Sequence, residues 1–246
     1  MRRIALCATT ALLAASCLTT AAFAEGRTAV VVDSHVTPVI RAFTPKTTSA
    51  TLAVNLSFSG ENGTSAATLK QVVLKFTYGA HLNGRFFPSC SAEMIRSHEL
   101  CPKGSKIGTG TALGTIGDPP NATEEPINVT LYNGAKGKSI TFRIQGARPA
   151  VIDVSFDAPL KTFTGGTYNY QLTVDVPDIL QRVAGLPISL EFFNVKVKAT
   201  TTVKKRKVGY IETLICPPKA LVPLQADFSF VEADPFHTDT YIHCGS

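Results

Sequence analysis

The chain has 246 residues, with 24 Lys and Arg against 18 Asp and Glu, a formal net charge of +6 and 44% hydrophobic residues. That is enough chain and enough apolar content for one good core or two small ones. The positive excess is mild, so it favours an anionic surface weakly and gives no argument for nucleic-acid binding.

Residues 1–24 read as a secretory signal peptide. Arg2 and Arg3 form the charged start, Ile4 to Leu18 is mostly apolar, and Ala22-Phe23-Ala24 supplies the small residues of a cleavage site before Glu25. The apolar run is too short and too interrupted by Thr and Ser to span a bilayer. A lipid anchor at Cys17 fits less well, because the large aliphatic Leu13 stands one place too early for a lipoprotein box. Loss of the charges on Arg2 and Arg3 lowers +6 to +4 in residues 25–246. The expected location is secreted or cell-envelope associated, with no transmembrane segment in the mature chain.

The body of the chain alternates with period two, the mark of strands with one packed face and one wet face. The pattern predicts strands at Thr28–Val32, Leu52–Phe58, Gln71–Tyr78, Lys106–Ile116, Ile127–Tyr132 and Ser139–Gln145. It continues at Ile152–Asp157, Tyr170–Val176, Ile188–Val203, Val208–Ile215, Asp227–Val231 and Thr240–His243. Clean alternation is an antiparallel habit, since parallel strands covered by helices are apolar on both faces. Helical signals are few: Ala92 to His98 with Ser91 as N-cap, and Asp178 to Val183. The expected fold is all-β, an antiparallel β-sandwich of about ten to twelve strands. It fills residues 25–246 as one domain, or as two sandwiches split near Asp118 in the Pro-rich stretch 115–126.

Four cysteines follow the leader: Cys90, Cys101, Cys216 and Cys244. An even number in an exported chain predicts disulfides, and proximity along the chain favours Cys90–Cys101 and Cys216–Cys244. No CxxC and no histidine pair at ligand spacing accompanies them, so neither a metal site nor any other cofactor is expected. The block Phe87-Pro88-x-Cys90, then Cys101-Pro102-x-x-Ser105-x-Ile107-Gly108-x-Gly110-x-Ala112, resembles a group of exported bacterial proteins that are mainly uncharacterised. Tyr132-Asn133-Gly134 and Cys216-Pro217 extend that likeness, which runs from about Leu69 to Cys244. The resemblance implies an all-β fold with disulfides and carries no activity.

Catalytic signatures fail on their spacing. Gly108, Gly110 and Gly114 make GxGxxxG with no helix following, which suits a bulge or a close backbone approach better than a dinucleotide. Gly137-Lys138-Ser139 lacks the upstream P-loop glycine, whose place is taken by Tyr132. His98-Glu99 is followed by Pro102 where a zinc-protease helix needs its second histidine. His237 and Asp239 share one face of a strand and are the first pair to inspect for catalysis, although a lone histidine is more often a loop or surface residue. Asn55, Asn62, Asn121 and Asn128 stand in sequons that abundant Ser and Thr explain.

Lys204-Lys205-Arg206-Lys207 is the strongest charge feature and follows Lys196 and Lys198. Four consecutive charges predict an exposed turn joining two strands, because burial would cost several kcal/mol per unpaired charge. The same run is the candidate contact to an anionic cell-envelope polymer, lipid headgroups or another exported protein. The functional expectation is a non-catalytic exported protein that binds or scaffolds, with no catalytic residue assigned. The alternatives are a hydrolase with its groups scattered on loops, or a carbohydrate-binding module that uses Tyr, since the chain has no Trp.

Overall fold

The computed structural model describes residues 28–37, 48–61, 64–77, 80–213 and 221–244. In chain order these form β1 (Thr28–Thr37), β2 (Thr48–Gly60), β3 (Leu69–Thr77), β4 (Ala80–Leu82) and the short helix α1 (Ala92–Arg96). Then come β5 (Lys106–Ile116), β6 (Thr123–Asn133), β7 (Ser139–Gly146), β8 (Ile152–Thr162) and β9 (Tyr168–Asp175). They are followed by β10 (Arg182–Val183), β11 (Leu186–Val197), β12 (Thr200–Val203), β13 (Arg206–Gly209) and β14 (Ile211–Thr213). The series ends with β15 (Leu221–Phe230) and β16 (Phe236–Cys244).

The fold is all-β, as the alternation predicts, but the strands do not separate into the two sheets of a sandwich. The ladder runs β11-β5-β6-β7-β8-β9-β3-β15-β16-β1-β2 and returns to β11, so it closes as an eleven-strand barrel. Ten of the eleven neighbours in the ring are antiparallel, and β1 with β16 is the parallel one. Alternation says which side chains face in, and that is the same for a sandwich and for a barrel. What distinguishes them is the double pairing of β11, with β5 on one side and β2 on the other.

Glycines of the Gly-rich strand permit that pairing. A Cβ on Gly108 would sit 2.6 Å from the Lys196 carbonyl oxygen, and one on Gly110 would collide with the carbonyl of Asn194. Their role is the close backbone approach that a strand glycine allows.

Inward positions carry one continuous core. In β6 the buried set is Glu125, Ile127, Val129, Leu131 and Asn133, with polar residues between them. Phe228 is fully buried in it, edge-on to Phe58 at 5.8 Å and tilted against Phe236 at 6.2 Å. The outward face carries Arg143 paired to Asp153 at 2.7 Å, and Lys75 reaching Gln225 at 2.6 Å. A lipid-embedded barrel shows the reverse, apolar outside and polar within. Among the described residues no helix is long and apolar enough to cross a membrane.

Element boundaries moved where the chain leaves the barrel wall. The expected single strand Ile188–Val203 is two, because Lys198 and Ala199 both donate to the Ile107 carbonyl and turn the chain outward. The short helix expected over Asp178–Val183 is a 3₁₀ turn, Asp178–Leu180, followed by β10. Helix α1 does start at Ser91, whose hydroxyl accepts from the Met94 amide. Asp118-Pro119-Pro120 lies in the turn between β5 and β6, which are hydrogen-bonded neighbours.

Candidate functional site

About eight strands make a barrel that side chains can just fill, and each further strand widens the interior. Here eleven strands leave a cavity of about 210 Å³ along the axis. Leu56, Leu74, Phe142, Leu172, Val195 and Ile242 represent its walls. Among all the lining residues only Glu125, Tyr170 and Tyr210 bear a polar side-chain atom.

Those three polar groups mark the two ends. Glu125 is fully buried near the start of β6, where Gly146 leaves room for its carboxylate. One oxygen accepts from the Ala150 amide at 2.7 Å, while the other has no partner among the described residues. Tyr210 stands at the opposite end, 1% exposed, with its ring edge-on to Phe87 at 5.3 Å. Its hydroxyl has no partner among the described residues either, and burial pushes the phenol well above its ordinary pKa. Tyr170 accepts weakly from the Leu82 amide at 3.5 Å. Along β6, Glu125 to Asn133 spans about 26 Å at the usual rise per residue. The site is therefore a long apolar bore with one unsatisfied polar group near each end. An unpaired buried polar group costs about 1–3 kcal/mol, a cost that a ligand donor or acceptor would remove.

Beneath the Tyr210 end the cysteine block forms a plug. Cys90 and Cys101 are bonded, with Cα atoms 5.3 Å apart. Asn133 ties the plug to the barrel: its side-chain amide donates to the carbonyls of Gly84, Phe87 and Pro88 at 3.0, 2.9 and 3.2 Å. Its backbone carbonyl accepts from the Cys90 amide at 2.8 Å. The expected Cys216–Cys244 bridge falls outside the described residues, which include neither Cys216 nor the side chain of Cys244.

His237 and Asp239 are brought together on the outer wall, but not as catalytic groups. Nδ1 of His237 lies 2.5 Å from Asp227 and Nε2 lies 3.4 Å from Asp239. Both ring nitrogens face carboxylates, leaving neither for a nucleophile's proton. The hydrogen bond to Asp227, assisted by Asp239, raises the His237 pKa above its ordinary value. A raised value means stabilisation that is complete below about pH 6.5 and is lost as pH rises through the folded-state pKa. The side chain is 52% exposed, so the effect is small. Urea denaturation should give a slightly higher midpoint on the acid side of this window, and His237→Asn should flatten the difference. A His237 NMR titration midpoint at or below the free-histidine value contradicts this account.

The basic run is exposed throughout. Lys204 and Lys205 form the tight turn between β12 and β13, with φ of 47° and 67°, the left-handed pair of a two-residue hairpin. Arg206 and Lys207 belong to β13, so only half of the run is turn. Arg206 also has a partner that the charge pattern did not reveal: it grips both carboxylate oxygens of Glu212, at 3.0 and 2.8 Å.

Glu125 and Tyr210 escaped sequence reasoning as site residues. Extending the alternation of β6 two places back from Ile127 would have turned Glu125 inward, but Pro126 and the neighbouring Glu124 give that stretch the look of a loop. Among the described residues no group of three or more His, Cys, Asp and Glu could hold a metal ion. Taken together, wall, bore and plug define a closed β-barrel with an apolar interior. Comparison of this chain with family models, curated proteins and solved structures found no match in any of the three.

Proposed function

We propose that this is an exported, non-catalytic binding protein whose barrel holds a small elongated ligand, apolar along its length and polar at an end. The observation that carries this reading is the 210 Å³ bore with its almost wholly apolar wall. Such a space takes up apolar surface at roughly 25 cal/mol per Å². The unpartnered oxygens of Glu125 and Tyr210 supply the polar contacts that would orient the ligand. The Cys90–Cys101 bridge suits an oxidising compartment outside the cytoplasm. A hydrolase draws less support, because His237 is engaged by two carboxylates. A Tyr-based sugar module draws less as well: among the described tyrosines Tyr241 is exposed, and Tyr210 is buried.

The test is displacement of a fluorescent polyene fatty acid from residues 25–246. Saturable binding is expected. Ala112→Leu, which adds three carbons at a buried lining position, should weaken binding at least tenfold while costing about 1–3 kcal/mol of stability. A folded Ala112→Leu protein that binds the probe as well as the parent would place the ligand elsewhere.

A further inference from the structure

We infer that the barrel docks end-on to a bilayer through its plugged end, recognising anionic phospholipid headgroups. Among the described residues the two ends carry opposite charge. At the plugged end lie the start of β5, the β6–β7 turn, the end of β8 and the ends of β11 and β12. These place Lys106, Lys136, Lys138, Lys161, Lys196 and Lys198 there, all exposed, beside the 204–207 run. Among the described residues, exposed acids near them are Glu93 and Glu99 around α1 and Asp157 of β8, which is engaged by the Ala92 amide, while Glu212 is buried against Arg206.

At the other end the loops and strand ends carry Glu61, Asp118, Glu124, Asp178, Glu232 and Asp234, all exposed, against Lys70, Arg148 and Arg182. Arg182 is itself paired to Glu232 at 3.1 Å.

Protruding apolar side chains occur at both ends, so apolar exposure alone does not choose between them. Val151 at 90% and Ile179 at 59% rise among acids. Leu100 at 93%, between Glu99 and Lys103 in the chain, and Phe163 at 42%, two residues from Lys161, protrude at the basic end. Cationic charge with interspersed apolar tips matches an anionic bilayer surface: headgroups attract the lysines, and Leu100 and Phe163 reach the acyl boundary. A soluble polyanion offers the charge without an apolar layer. The acidic end would be repelled by the same bilayer, which fixes the orientation.

The experiment is co-sedimentation of residues 25–246 with phosphatidylcholine vesicles, with and without phosphatidylglycerol. Binding is expected only with the anionic lipid, and it should fall as salt rises. Each lysine near such a surface contributes about 1 kcal/mol, so Lys204→Ser, Lys205→Ser and Lys207→Ser combined should weaken binding about a hundredfold. Arg206 is left in place because Glu212 depends on it. Lys106→Ser, Lys138→Ser and Lys161→Ser should do the same from the other side of that end. Arg148→Ser, at the acidic end, should change nothing. Leu100→Ser with Phe163→Ser should weaken vesicle binding and leave binding to soluble polyglutamate unchanged.

Equal binding to both vesicle types would overturn the proposal, as would indifference to either lysine set. So would a Leu100/Phe163 variant that binds vesicles like the parent, since that outcome assigns the basic end to a soluble polyanion. Circular-dichroism melts of each variant separate lost docking from lost folding. The readout needs no ligand in the bore, so it stands or falls apart from the binding function proposed above.

Discussion

Replacing Arg206 by Ala is expected to destabilise the protein by about 2–3 kcal/mol, although Arg206 sits in a run of exposed cations where substitution ought to be harmless. The reason is its partner. The Glu212 carboxylate is 4% exposed, and it is held by Arg206 at 2.8 Å and, more weakly, by the Gly209 amide at 3.4 Å. Removing the guanidinium takes away a cationic partner of a buried carboxylate. For a fully buried pair that costs about 3–5 kcal/mol, and the exposure of Arg206 trims the figure. Lys204→Ala and Lys205→Ala, by contrast, should each change stability by less than about 0.5 kcal/mol. Urea denaturation measures all three. Adding Glu212→Gln to Arg206→Ala should return much of the loss, because the buried group is then neutral. An Arg206→Ala midpoint equal to that of Lys205→Ala would mean that the pair contributes nothing.

The second large effect belongs to the plug. Cys90→Ser with Cys101→Ser opens a loop of sequence separation 11, and chain entropy alone puts the loss at about 3 kcal/mol. Cys90 is completely buried, so the introduced hydroxyl adds a desolvation cost. The variant should appear as a lower urea midpoint and faster proteolysis. The fraction that folds should bind the polyene probe with unchanged affinity, since neither cysteine lines the bore. Loss of affinity at full stability would move the plug from a structural role into the ligand site.

Strand positions were legible because outward side chains meet water and inward ones do not. β7 and β9 begin and end within two residues of the expected bounds, and β8 begins at the expected Ile152 but runs on past Asp157 to Thr162. β15 was read late: it starts at Leu221, but Pro223 interrupts the pattern, and a proline normally argues against an inner strand. Closure was not legible, because an inward-facing Val looks the same whether it meets an opposite sheet or the axis of a barrel. Glu125 was hidden by the acid and the proline on either side of it. Arg206 was hidden by its cationic neighbours, since a run of like charges does not disclose which member answers a buried carboxylate. The glycines Gly108 and Gly110 were seen, but which strand approaches them depends on a pairing more than eighty residues away.

A ring of eleven strands cannot be antiparallel throughout, and the single parallel contact, Ser34–Val36 with Ile242–Cys244, is where this one is sewn shut. That seam joins segments about two hundred residues apart, among the most expensive loops the chain can close. During synthesis the chain emerges from β1 onward, so ten staves can be hydrogen-bonded to their neighbours while the wall between β15 and β1 still gapes. Until β16 has been delivered, the greasy interior is open to the surroundings along one side. Whatever the bore is to hold can be loaded sideways in that interval, without threading past either end. The same interval is when the nascent protein is most vulnerable to proteases and to pairing with a second open copy.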